Sequence, residues 1–207
     1  MFNFQQSLLS HRRGWFTVLF LALVVWLVTR TQPAHAATLS VCPRGCSFTT
    51  ITAAIAAANA GDTIAIGAGV YQEMLVIDKN LILQGAGSAG TVVSSSADTV
   101  ITVAQDRTVH LNNLTIGDAG VNGIVNHGQL TLQASVVSRT HNGIYNAPTG
   151  ILTATQSTIE NSIWSTNNNG VTNFGRLSLI DSTVRNGRYH YGAIANFGAA
   201  AVALILR

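Results

Sequence analysis

Between Thr63 and Val103 the chain reads as short runs rich in Val, Ile, Leu and Thr, separated by Gly, Asp and Asn. The runs TIAIG (63–67), MLVI (74–77), LILQG (81–85), TVVSS (91–95) and TVITV (99–103) have the length and composition of strands. Asn-Gly pairs at 122–123, 142–143 and 186–187, taken singly, would close two-residue antiparallel hairpins. One earlier stretch differs. TITAAIAAANA (50–60) is alanine-rich and sets Ile51, Ala54, Ile55 and Ala58 on one face. It predicts a short helix, with Gly61 as the left-handed residue that follows it.

A longer period overrides the hairpin reading. The apolar pairs Val109/Leu111, Leu130/Leu132, Leu152/Ala154 and Leu177/Leu179 share one phase, at steps of 21, 22 and 25 residues. Five residues after each first member stands Leu114, Ser135, Ser157 or Ser182, and two further on Ile116, Val137, Ile159 or Val184. A near-constant period above ~20 residues marks a repeat architecture whose units bury their apolar faces only by stacking. Like strands stacked in parallel make a β-helix. The fold class expected is therefore all-β: a single-stranded right-handed parallel β-helix of about six coils, closed at its N-terminal end by a short, polar-backed capping helix that shields the open sheet edge.

The first residues change the charge picture. His11, Arg12 and Arg13 precede an apolar run from Trp15 to Val28, and small residues lead up to Ala36. This layout predicts a secretory signal peptide over 1–36, cleaved after Ala36, in a secreted or cell-surface protein. The run falls short of the ~20 residues that span a bilayer, so membrane contact is expected only through an uncleaved signal anchor. Removing 1–36 takes three arginines from the eleven basic residues, which leaves eight against eight acidic ones. No basic cluster remains, so nucleic acid is excluded as an expected partner. The two cysteines, Cys42 and Cys46, predict one structural disulfide in an exported chain. The expected organisation is a cap over 37–61 and the β-helix over 62–207. The last residues, AAAVALILR, leave a coil uncapped, so the native chain is expected to continue.

The segment CSFTTITAAIAAANAGDTIAIGAGVYQEMLVIDKNLILQGAG (46–87) resembles the opening of pectin-lyase-like right-handed parallel β-helix proteins, with an Ala-rich cap helix, then G-D-T-I and G-x-Y-x-E. The later NGIVNHG, NGIYN, NGVTNFG and YGAIANFG resemble the G-I-x-N-x-G coils of bacterial surface and polymorphic outer-membrane-type repeats. This resemblance implies the fold and leaves the activity open, because the fold hosts many functions.

The recurring Asn126, Asn146, Asn173 and Asn196 hold one place in four coils, which points to a structural hydrogen-bonded ladder. Gly69–Glu73 looks like the G-x-Y-x-E of pectinesterases, but the aspartates and arginine of their catalytic signatures have no counterparts; Tyr71 is read as wall packing and Glu73 as a turn residue. Acidic residues occur singly, so no catalytic residue, cofactor or metal is expected, and Ca²⁺ enters only under a lyase alternative. Asp98 and Asp118 are the pair that convergence across coils would have to bring together. The segments 138–142, 160–169 and 185–191 share a phase but differ in length. They gather His141, Trp164, Arg188, Tyr189, His190 and Tyr191, the candidate ligand-binding residues. The function expected is a monomeric exported scaffold or adhesin-like surface module that binds polysaccharide or cell-surface glycan through these loops. The alternative is a polysaccharide lyase or pectinesterase-like enzyme whose active site is incomplete or absent in this chain.

Overall fold

The computed structural model describes residues 35–160, 169–185, 193–197 and 203–206. From Ala36 onward they belong to one compact unit. The signal-peptide expectation lies almost wholly outside the described residues, among which no helix is long and apolar enough to cross a membrane.

Each coil runs through three strands. In one coil these are Asn122–Asn126, Gln129–Gln133 and Val136–Ser138. Stacked coils build three parallel sheets. Sheet A has eight strands, from Thr38–Val41 to Ala203–Leu206, and contains Gln129–Gln133. Sheets B and C have six each, B containing Val136–Ser138 and C containing Asn122–Asn126. The chain is thus an all-β solenoid of the pectin-lyase-like right-handed parallel β-helix type, and its Asn-Gly pairs do not form hairpins. Thr38–Val41, assigned by sequence to the cap segment, is the first rung of sheet A, paired in parallel with Thr63–Ile66.

The register follows from the apolar alternation. Leu130 pairs with Val109 and Leu152, and Leu132 with Leu111 and Ala154. All six are buried, as are Ile116, Val137 and Ile159 on sheet B and Ile101, Ile124 and Ile144 on sheet C. A one-residue slip would turn every one of these side chains outward, so the register is strongly specified.

The corner from sheet A to sheet B is a uniform two-residue turn. Asn113, Ala134, Gln156 and Asp181 adopt positive φ of 55°, 47°, 50° and 46° in successive coils. The serine after each turn residue repays the strain. Ser135 Oγ accepts from Leu114 N (3.4 Å), Ser157 Oγ from Ser135 N (3.2 Å) and Ser182 Oγ from Ser157 N (3.1 Å).

The corner from sheet C to sheet A holds the asparagine column. Asn126 Nδ2 donates to Asn146 Oδ1, Asn146 Nδ2 to Asn173 Oδ1 and Asn173 Nδ2 to Asn196 Oδ1, each at 2.7 Å. Asn146 Nδ2 also reaches Arg176 O at 2.9 Å. Buried amides need such partners because an unpaired polar group loses its hydration without return. The glycines of the repeat make room. A Cβ on Gly150 would strike Asn146 Oδ1, and one on Gly123 would lie 2.7 Å from Gly143 O and from Val137 Cγ1.

The N-terminal end is closed by helix α1, Ile51–Ala57. Ile51, Ala54 and Ile55 face the core. Thr50 caps the helix, its hydroxyl accepting from Ala53 N at 3.3 Å. Glu73 is more than a turn residue: its carboxylate accepts from Ile51 N and Thr52 N, both at 2.8 Å, and from the Thr52 hydroxyl at 2.6 Å. At the other end Lys79 Nζ donates to Ile55 O, Ala56 O and Ala58 O at 2.9, 3.0 and 2.8 Å. The helix is shorter than the alanine run suggested. Ala58 turns to an extended conformation, and Gly61, at φ 94°, serves the turn into Asp62 instead of the helix C-terminus. The exposed face carries Thr52, Ala53, Ala56 and Ala57, so the cap is backed by alanine and not by polar residues. Its charges sit at the two ends.

Cys42 and Cys46 form a disulfide. The loop it closes returns Phe48 beside Val41, where Phe48 N donates to Ser40 O and Phe48 O accepts from Cys42 N. Part of the open edge of sheet A is thereby paired, which blunts strand-to-strand association there.

Candidate functional site

The third corner, from sheet B to sheet C, is the irregular one. Its connections are 118–121, 139–141, 161–170 and 186–193, whereas the A-to-B corner keeps two residues in every coil. The ends of these connections stack. Val137 pairs with Ile116 and Ile159, Ile159 with Val184, and Asn142 with Asn122. The connections therefore emerge in one column along one edge.

Of the candidate binding residues, the structure places His141 half-buried on this edge, between Thr140 and Asn142. Trp164, Arg188, Tyr189, His190 and Tyr191 belong to the same connections but lie outside the described residues. Asn142 Nδ2 donates to Asn122 Oδ1 at 3.2 Å, adding a second, shorter amide pair at the base of the edge. Beneath it, Thr140 Oγ1 and Asn169 Oδ1 are buried with no hydrogen-bond partner among the described residues. Unpaired buried groups of this kind cost about 1–3 kcal/mol each, so this corner carries a stability deficit that the laddered corners do not.

Two ion pairs flank the edge. Arg139 Nε and Nη2 donate to Asp118 Oδ1 and Oδ2 at 2.6 and 2.8 Å. The Arg139 hydrogen bond, together with its charge, holds the Asp118 carboxyl below its ordinary value against the smaller opposing effect of burial. Glu160 and Arg185 repeat the arrangement two coils on, at 3.4 Å. Sequence reasoning missed both pairs, although Asp118 and Arg139 stand 21 residues apart in the same phase of the repeat. The possible convergence of Asp98 with Asp118 is answered by Arg139, which occupies both Asp118 oxygens.

The motif residues of the opening coils are occupied by architecture. Tyr71 is buried and its hydroxyl donates to Gly67 O at 3.0 Å; burial first, and the Glu73 carboxylate second, raise its pKa above the ordinary phenol value. Asp62 accepts from Ala37 N and Asn59 N, each at 2.7 Å. Among the described residues no group of three His, Cys, Asp or Glu converges as metal ligands would.

Tyr145, Phe174 and Phe197 form an aromatic column on the C-to-A side, with centroid separations of 5.5 and 5.2 Å. Phe174 and Phe197 are stacked face to face at 21°. Rings that cover one another's faces along the rod do not offer those faces to a sugar. This column is packing, distinct from the irregular edge.

No family model and no curated protein sequence matches this chain. Solved structures do. A pectin methylesterase from carrot superposes with a TM-score of 0.58 at 12% identity, over 85% of this chain and 74% of its own. One from Aspergillus niger gives 0.54 at 16% identity, over 86% of this chain; the match spans 62% of the enzyme's length. A pectin methylesterase in complex with a hexasaccharide gives 0.53 at 15% identity, over 77% and 68%. At these identities the likeness is one of fold.

Proposed function

We propose that this chain is an exported, non-catalytic β-helix scaffold of the adhesin-like kind that binds polysaccharide along the B-to-C edge. The observation that carries the reading is the contrast between corners. Two corners repeat with fixed side-chain ladders, and only the third varies in length while staying in one column. Variation confined to one face of a solenoid is the usual mark of recognition. The disulfide supports an oxidising destination, and structures of the same fold bind oligosaccharides.

A second reading, a polysaccharide esterase or lyase, is favoured by the likeness to pectin methylesterases. Against it, Glu73, Asp62 and Lys79 are engaged by the cap and Asp118 by Arg139. The test is affinity gel electrophoresis of the full chain against a panel of soluble polysaccharides, with the same polymers assayed for methanol and unsaturated ends. Retardation without product is the expected outcome. Product formation would overturn the non-catalytic reading, and the absence of any retardation would overturn binding.

A further inference from the structure

Resting on the polysaccharide-binding reading, we infer that the B-to-C edge selects uncharged polysaccharides over polyuronates and other polyanions. Binding of a polyanion through direct contact requires cations that are not already neutralised. On this edge the described cations are spoken for. Arg139 makes a two-point contact with Asp118, at 2.6 and 2.8 Å, and Arg185 lies 3.4 Å from Glu160. Each pair joins neighbouring coils, so along the rod the edge reads Asp118, Arg139, Glu160, Arg185, an alternation of signs that cancels its own field.

The remaining cations point to the same selection by their places. Lys79 is committed to three helix carbonyls at the cap. Arg44 lies in the disulfide loop, Arg107 before a sheet A strand, and Arg176 at the start of another. Beside the edge, the outward row of sheet C is Val76, Thr102, Val125, Tyr145, Thr172 and Ala195, uncharged throughout. Asn122 and Asn142 add amide groups at its margin. Amides, hydroxyls and a phenol ring match the donors, acceptors and C–H faces of neutral sugars.

The pairing also makes the selection reversible by design. Both acidic partners are substantially solvent-exposed, at 51% for Asp118 and 40% for Glu160, so exposed pairs of this kind contribute little to folding. Asp118→Asn with Glu160→Gln leaves the fold in place and unmasks Arg139 and Arg185.

Affinity electrophoresis of the full chain on two matched polymer pairs tests this: hydroxyethyl-cellulose against carboxymethyl-cellulose, and fully methyl-esterified against de-esterified polygalacturonate. The expected result is that the neutral member of at least one pair binds about tenfold or more tighter than its charged counterpart, with little change from 50 to 300 mM salt. The Asp118→Asn/Glu160→Gln variant is expected to gain salt-sensitive affinity for the charged members. Stronger binding of the charged polymers by the unaltered chain overturns the selectivity while leaving the edge a glycan site, as does a variant that gains nothing. Failure to bind any polymer overturns the binding reading itself, and the selectivity with it.

Discussion

Glu73 and Lys79, six residues apart in sequence, hold opposite ends of the same helix: the carboxylate accepts from the N-terminal amides and the ammonium donates to the C-terminal carbonyls. Both charges oppose the helix dipole in the favourable sense. A seven-residue alanine-rich helix is too short to persist alone. The two side chains and the buried Ile51 and Ile55 are what keep it over the end of the core.

Removing the clamp should therefore loosen the cap. Glu73→Ala is expected to cost about 1–2 kcal/mol in urea unfolding and Lys79→Met about 1 kcal/mol. Glu73→Gln, which retains one accepting oxygen without the charge, should fall between the alanine variant and the unaltered chain. Hydrogen exchange at Ile51 and Thr52 should speed up in both Glu73 variants.

The asparagine column should be far less tolerant. Asn146 accepts from Asn126 and donates to Asn173 and Arg176 O from a fully buried site. Asn146→Ala strands several of these groups and is expected to destabilise the chain by about 3 kcal/mol or more. Asn146→Asp keeps the acceptors but has no donor for Asn173, and it should be no better. Urea denaturation midpoints compare the two directly.

At the irregular corner the sign reverses. Thr140 Oγ1 is buried without a partner among the described residues. Thr140→Val replaces a hydroxyl by a methyl group of similar size, so a gain of about 1 kcal/mol is expected, visible as a higher Tm. A loss of that size would show that the hydroxyl has a partner.

The Asp118–Arg139 pair gives a pH dependence of defined sign. Its hydrogen bond and charge lower the Asp118 pKa in the folded chain from the ordinary 3.8. The pair's contribution is present above the unfolded value and is lost as pH falls through the lower, folded one. Thermal melts from pH 5 down to pH 2 should therefore show a steeper acid limb in the unaltered chain than in Asp118→Asn. High salt should narrow the difference, because the pair is exposed.

Much of the fold was legible because stacking writes the same demand into every coil. The apolar columns through Leu130 and Leu132, the serine positions and the asparagine place all recur at the coil period, and the strand register follows them. What sequence reading missed lies where the repeat begins or breaks. Thr38–Val41 has no upstream coil against which to be aligned. Glu73 reaches Ile51 and Thr52 across 22 and 21 residues without a matching residue in later coils, so periodicity gives no hint of its capping role. At the irregular edge the phase located the column and His141, but Arg139 reads as a solvated loop residue until Asp118 is set beside it.

The most direct test of recognition by the irregular edge is polysaccharide retardation of two double variants beside the unaltered chain. Trp164→Ala/Tyr189→Ala alters the edge, and Gln129→Glu/Gln133→Glu alters the exposed outer face of sheet A. Recognition at the edge requires that the first variant lose binding about tenfold or more while the second binds like the unaltered chain. Undiminished binding by the first, or equal loss in both, would contradict it.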